Sequence, residues 1–285
     1  MRKYIFCILA LLPIASLLAS FPASSAMAAF AKPFPAVLRE PDPALIPTVN
    51  LETIPLPNID EGYAMGVTGT FTGNIGDYLI VAGGSNMSNN MISFDSELNF
   101  YDGIYAIRPD NPADSWKKIG TLPQGAAYGV CIKYENSLIL AGGSSATGDL
   151  AQVIRVTLTN GELVSEALPP LPGSMSHMGG CSIGNSIYVV GGMFNGTFSN
   201  IAFKLDMENT SLGWQIAGYI PGSARVDPVC AASNGSLYIW GGYSQARPTN
   251  PYILSIDGYK YEPTTGAWPP AATPKRVHLY YSAKI

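Results

Sequence analysis

An all-β fold made of four repeated units is predicted by three features of the sequence. A short apolar run ending in two glycines occurs four times, the runs recur at a spacing of about fifty residues, and few residues between them are charged. The runs are Leu79-Ile80-Val81-Ala82-Gly83-Gly84, Leu138-Ile139-Leu140-Ala141-Gly142-Gly143, Ile187-Tyr188-Val189-Val190-Gly191-Gly192 and Leu237-Tyr238-Ile239-Trp240-Gly241-Gly242. Four consecutive β-formers are too short for a buried helix and suit a strand covered on both faces. The paired glycines allow positive φ and let another backbone come close. The period is that of a kelch-type β-propeller blade, so the fold class is a kelch propeller.

The composition agrees. Of 285 residues 13% are charged, with 30 glycines and 23 prolines, as expected for short strands in sheets covered on both sides. The net charge is -4 and no Lys/Arg cluster occurs, which argues against a nucleic-acid partner.

The chain opens with Arg2 and Lys3, an apolar stretch from Ile5 to Ala19, and small residues ending Ala26-Met27-Ala28. This is the three-part pattern of a secretory signal over residues 1–28, with Pro13 and Pro22 favouring cleavage over an uncleaved anchor. Cleavage removes two positive charges, takes the net charge to about -6, and leaves no stable membrane association. A periplasmic or secreted protein is expected. Cys7 leaves with the signal. Cys131, Cys181 and Cys230 fall near matching positions of successive repeats, on sheets packed about 10 Å apart. That exceeds the roughly 7 Å reach of a disulfide, so all three read as small core residues.

Residues 29–47 are proline-rich and read as an extended arm before the propeller at 48–285. Val49 to Ile54 alternates apolar and polar residues and resembles the last strand of each later repeat, so it reads as an outermost strand separated from its blade. The blades fall at about 62–123, 124–172, 173–221 and 222–274. Each reads as four strands. The first uses Tyr63 to Phe71, Tyr78 to Ala82, Gly103 to Ile107 and a strand opened by Trp116; the second Tyr128 to Tyr134, Leu138 to Ala141, Val153 to Leu158 and Leu163 to Leu168. The third uses Met178 to Ile183, Ile187 to Val190, Ile201 to Leu205 and Trp214 to Ala217; the fourth Pro228 to Ala232, Leu237 to Trp240, Gly258 to Tyr261 and a short strand at Trp268. Asn234-Gly235 and Gly184-Asn185 mark hairpin turns. A fifth repeat starts at 275–285, from which the expectation is a chain incomplete at its C-terminus, with about four blades of a six-bladed ring.

Gln124-Gly125-Ala126-Ala127-Tyr128-Gly129-Val130, Arg225-Val226-Asp227-Pro228-Val229-Cys230-Ala231-Ala232, Leu237 to Gly242 and Asp257-Gly258-Tyr259-Lys260-Tyr261-Glu262-Pro263 resemble the cyclically permuted mutarotase family, exported kelch proteins related to N-acetylneuraminate epimerase. The resemblance spans roughly Gly62 to Trp268. The block order is permuted, which a ring of repeats tolerates because each contacts only its neighbours. The resemblance implies interconversion of the anomers of N-acetylneuraminate, a small sialic-acid-type sugar, without a cofactor. A base takes the anomeric proton and an acid protonates the ring oxygen, while a cation positions the sugar carboxylate. In the epimerase a Glu and an Arg within Gly-Glu-x-Lys-Pro-Gly-x-Arg-Thr carry these tasks. No such stretch occurs here, since Gly161-Glu162-Leu163 lacks the continuation, and no catalytic residue is transferred.

Five residues stand as candidates for sugar binding. Arg225 matches a family arginine and either pairs with a carboxylate or bonds neighbouring carbonyls. Asn86, after Gly83-Gly84-Ser85, matches a family asparagine and either lines the pocket or shapes its loop. Tyr63 and Tyr128 read as equivalent tyrosines at the start of a first strand, for stacking on a sugar or for packing between blades. His177 either lines the pocket or is a polar loop residue. Ala126 stands where the family block carries an arginine. Two distant histidines, with no Cys-x-x-Cys, give a metal site no support. The alternative to a mutarotase is a non-catalytic kelch propeller that binds carbohydrate or protein.

Overall fold

The structure, a computed structural model, describes residues 57, 59–87, 97–111, 113–160, 162–245 and 252–271. The expected signal, arm, Val49–Ile54 strand and fifth-repeat strand with His278 lie outside these residues.

Four antiparallel sheets follow one another along the chain. The first contains β1 (Phe71–Ile75), β2 (Tyr78–Ala82), β3 (Gly103–Ile107) and β4 (Lys117–Thr121), hydrogen-bonded in that order. The second contains β5 (Val130–Tyr134), β6 (Ser137–Ala141), β7 (Val153–Thr159) and β8 (Glu162–Ala167), and the third β9 (Gly179–Ile183), β10 (Ser186–Val190), β11 (Ile201–Asp206) and β12 (Gln215–Tyr219). The fourth pairs β13 (Val229–Ser233), β14 (Ser236–Trp240) and β15 (Gly258–Tyr261). Among the described residues beyond β15, single bridges, Tyr259 with Pro270 and Glu262 with Ala267, stand where a fourth strand was expected around Trp268. The up-and-down order within each sheet, and the close approach of the first strands of successive sheets, are those of propeller blades.

Each apolar run before a glycine pair forms the second strand of its sheet, and the burial pattern shows why it needs apolar residues at every position. Along β6, Leu138 and Leu140 pack against the first sheet while Ile139 and Ala141 pack against the third. Along β10, Ile187 and Val189 face the second sheet, and Tyr188 and Val190 the fourth. Alternate side chains of a strand point to opposite faces, so a strand between two neighbours must be apolar on both. Burial of each such Leu or Ile contributes about 1.5–3 kcal/mol. One apolar cluster fills each junction between neighbouring sheets. A further cluster of Tyr63, Val81 and Tyr105 covers the other face of the first sheet, where Asp60 accepts hydrogen bonds from Tyr105 and Lys118.

The glycine pairs do what close packing requires. The second glycine of each of the first three pairs donates its N–H to the next sheet's leading segment: Gly84 to Ala126, Gly143 to Met175 and Gly192 to Arg225, at 2.7–2.8 Å. A Cβ on Gly192 would lie 2.5 Å from the Ser176 carbonyl oxygen, and on Gly143 2.7 Å from that of Ala127. After each pair the chain forms a short ribbon that sequence reasoning did not foresee, for example Ser85–Met87 against Leu98–Phe100. Of the cysteines, Cys181 is buried, while Cys131 and Cys230 are half-buried.

The first strand of the first sheet differs from expectation. Tyr63–Met65 is a 3-10 turn, and the strand begins at Phe71. The reason lies in Gly62, Gly66 and Gly69, all at positive φ, which bend the chain before it can extend.

Candidate functional site

The leading segments of the four sheets carry one residue each in the left-handed backbone region: Gly69 (φ 69), Tyr128 (φ 61), His177 (φ 56) and Asp227 (φ 48). Each lies fourteen residues before the first glycine of its pair, so the four positions are equivalent. They are joined by backbone hydrogen bonds of one pattern. Tyr128 N–H donates to Gly69 O, His177 N–H to Tyr128 O, and Asp227 N–H to His177 O, each at 2.8 Å.

The side chains of three of these positions touch one another. The Tyr128 and His177 rings stack, with centroids 4.9 Å apart and planes 16° from parallel. His177 Nδ1 lies 3.0 Å from Asp227 Oδ1. The other carboxylate oxygen accepts from Tyr243 Oη at 3.0 Å, and Tyr128 Oη accepts from Ser85 Oγ at 3.1 Å. Tyr243 stands edge-on to Tyr252, at 5.4 Å and 68°, and Tyr252 lies parallel to Phe198 at 6.0 Å. The His177 side chain is 14% exposed and that of Asp227 39%, so solvent reaches the cluster. A left-handed conformation costs an L residue about 1–2 kcal/mol, which glycine avoids. Tyr128, His177 and Asp227 thus stand where the first sheet uses Gly69.

Of the five residues expected to bind, Tyr128 and His177 are brought together in this cluster. Tyr63 is not their equivalent. It lies six residues too early and is wholly buried, with its hydroxyl bonded to Gly83 O at 2.9 Å. Burial, with Asp60 and Tyr101 nearby, pushes its phenol well above the usual tyrosine value. Asn86 Nδ2 donates to Gly62 O and Gly66 O, at 3.0 and 2.9 Å, and Oδ1 accepts from Tyr101 Oη at 3.1 Å. The amide thus holds the 3-10 turn in place. Arg225 occupies the position of Ala126 and Met175, two residues before the left-handed residue of its sheet. Its side chain, 1% exposed, forms a two-pronged pair with Asp257 at 2.8 and 3.2 Å and lies 5.8 Å from the Tyr259 ring centroid. Burial works against the Asp257 charge, but the Arg225 and Tyr259 hydrogen bonds outweigh it and hold the carboxyl below its ordinary value.

Asp227, Tyr243 and Ser85 belong to the cluster and were not singled out from sequence. The signal for Asp227 was its offset from the glycine pair, which it shares with Tyr128 and His177. Two open clefts flank Phe100 near the first and second sheets. The larger, about 410 Å³, is lined by residues including Glu61, Asn99 and Tyr101, the smaller, about 140 Å³, by residues including Gln124, Ser145 and Thr147. Among the described residues, no three His, Cys, Asp or Glu side chains converge to hold a metal, and no helix is long and apolar enough to cross a membrane.

Comparison with known proteins bears on fold and family. The chain matches the family described as N-acetylneuraminate epimerase over residues 46–165 and 168–279. A protein of Yersinia enterocolitica named N-acetylneuraminate epimerase is 30% identical over 110 residues, 38% of this chain and 27% of that protein. One of the same name from Haemophilus influenzae is 32% identical over 104 residues, 36% of this chain and 26% of that protein. The matched part thus spans about a quarter of each curated relative. The solved structure described as "Structure of YjhT" superposes with a TM-score of 0.54 at 12% identity, over 73% of this chain and 66% of that one. At that identity the likeness is one of fold.

Proposed function

Because the chain belongs to the N-acetylneuraminate epimerase family, we propose that it is an exported sugar mutarotase that interconverts the anomers of N-acetylneuraminate by opening and reclosing the pyranose ring. The family match over most of the chain carries this reading, and the names of the relatives in Yersinia and Haemophilus support the sugar. The signal-like residues 1–28 support export to the periplasm or medium.

The Tyr128–His177–Asp227 cluster suits such a substrate. Aromatic faces pack against the C–H face of a pyranose, and adjacent imidazole and carboxylate groups bond its hydroxyls. Ring opening is proton transfer to and from oxygen, which these residue types perform.

Anomer exchange measured by NMR on N-acetylneuraminate, with the full 285-residue chain, tests the reading. Exchange faster than in buffer is expected. A rate equal to that of buffer sinks the mutarotase; sugar resonances that shift on titration without faster exchange then favour a kelch propeller that binds carbohydrate without turning it over.

A further inference from the structure

We infer that the outer face of the fourth sheet is a docking face for a further first strand, and that the chain's own residues 280–285 fill it. At each junction between neighbouring sheets, one residue of the incoming first strand enters between two of the strand before it. Counted from the left-handed residue of each leading segment, the third residue enters, and the second and fourth receive it. Cys131 packs in one cluster with Phe71, and a Cβ on Gly73 would lie 3.5 Å from Cys131 Sγ. At the next junction a Cβ on Gly180 would meet the side chains of Val130 and Ile132, at 3.1 and 2.7 Å. At the third, a Cβ on Gly179 would lie 2.7 Å from that of Cys230, and Cys181 and Cys230 share a cluster.

The receiving pair of the fourth sheet is Val229 and Ala231. Val229 is 49% exposed, against 2% for Phe71 and 4% for Val130, and Ala231 is exposed. Beside them on β14, Tyr238 and Trp240 are half-exposed where β10 encloses Tyr188 and Val190. A contiguous apolar sheet face open to water marks an interface.

The occupant follows from register. The left-handed residues Tyr128, His177 and Asp227 succeed one another at 49 and 50 residues, and Arg225-Val226-Asp227 is followed 51 residues on by Arg276-Val277-His278. His278 then takes the next place in that row, and Tyr281 is the third residue after it, the one that enters between Val229 and Ala231. The connection is long enough. The Ala271 N–H bonds Gly258 O on β15, two strand spacings of about 4.8 Å from β13, and seven peptide units from Ala271 to His278 reach about 20 Å. A second copy could offer only β1, since β5, β9 and β13 are each seated on the sheet before. The inference does not depend on the mutarotase reading.

The test pairs Val229→Cys with Tyr281→Cys in the full chain, with Cys230→Ala to remove the neighbouring thiol. Receiving and entering positions of adjoining sheets stand within disulfide reach, so mild oxidation links the two within one chain, as peptide mapping shows, and the oxidised protein melts at a higher temperature than the reduced one. Val229→Cys with Ser282→Cys, the latter on the opposite face of a strand, links at least about tenfold less. Equal linkage in the two pairs overturns the inference, as does a Val229/Tyr281 pair that is folded by circular dichroism and does not link. A disulfide joining two chains makes a second copy the occupant and overturns it too. If Val229→Cys unfolds the chain, Ala231→Cys with Tyr281→Cys gives the same readings.

Discussion

The guanidinium of Arg225 and the carboxylate of Asp257 meet in a two-pronged pair at 2.8 and 3.2 Å, the arginine almost wholly enclosed and the aspartate 41% exposed. Asp257→Ala leaves a buried cation without its partner and costs about 2–3 kcal/mol, below the 3–5 of a fully enclosed pair because solvent reaches the aspartate. Arg225→Met removes charge and need together, at a position where the third sheet already carries Met175. It costs less than Asp257→Ala in urea unfolding; the reverse order contradicts this account.

Stability falls at both ends of the pH scale. Asp60 is held below its ordinary value, first by the Lys118 hydrogen bond and then by that of Tyr105. Asp114, bonded by Arg108, is lowered from 3.8 to about 2, and Asp257 is lowered too. A depressed carboxyl stabilises the folded state above its unfolded value of 3.8, and that contribution is lost as pH falls through the folded value. The urea midpoint therefore drops between pH 3.8 and about 2. At the other end, burial pushes Tyr188 up to about 12 from 10.0. Between these values the unfolded chain has released a proton that the folded one retains, so stability declines as pH rises. A midpoint that is flat across both ranges refutes this.

Two glycines with like backbone and unlike surroundings separate strain from collision. Gly192 (φ 83) and Gly196 (φ 78) are both left-handed, but a Cβ meets the Ser176 carbonyl at the first and open space at the second. Gly196→Ala loses about 1–2 kcal/mol. Gly192→Ala adds the collision with the Ser176 carbonyl and Met178 in the lead into its own sheet and loses about 3 kcal/mol or more. Equal losses in thermal melts would show that the segment around Ser176 yields freely.

Asn86 is a joint between loops. Asn86→Ala strips the bonds to the Gly62 and Gly66 carbonyls and leaves Tyr101 without its acceptor, for a loss of about 1–3 kcal/mol. Proteolysis near Tyr63–Met65 should quicken, because these bonds tie that turn to the ribbon at Ser85–Met87. Unchanged cleavage and an unchanged melting point would refute this role.

Most of the fold was legible because each repeat states its rule again. Apolar residues at every position of β6 and β10 can mean only burial on two faces, and the glycine pair marks where the next sheet touches. Strand ends moved by a residue or two, as at β8, which starts at Glu162, and β12, which starts at Gln215. The first repeat misled because three left-handed glycines replace the extended lead into its first strand. At the site, residue type drew notice to Tyr128 and His177, whereas Asp227 is marked only by its offset from the glycine pair and Tyr243 only by its contact with Asp227. Arg225 and Asn86 stood out by position, but no spacing discloses that their polar atoms are engaged by Asp257 in one case and by backbone carbonyls in the other.

The backbone links through Gly69, Tyr128, His177 and Asp227 use only main-chain atoms, and the same atoms each time. The scaffold therefore asks of the side chain only that it tolerate the left-handed backbone, and within that limit one slot per blade can change its chemistry without disturbing the links that hold it. Such slots are where a duplicated blade diverges, and where a designer can exchange acid, base or aromatic groups while the repeats stay in register.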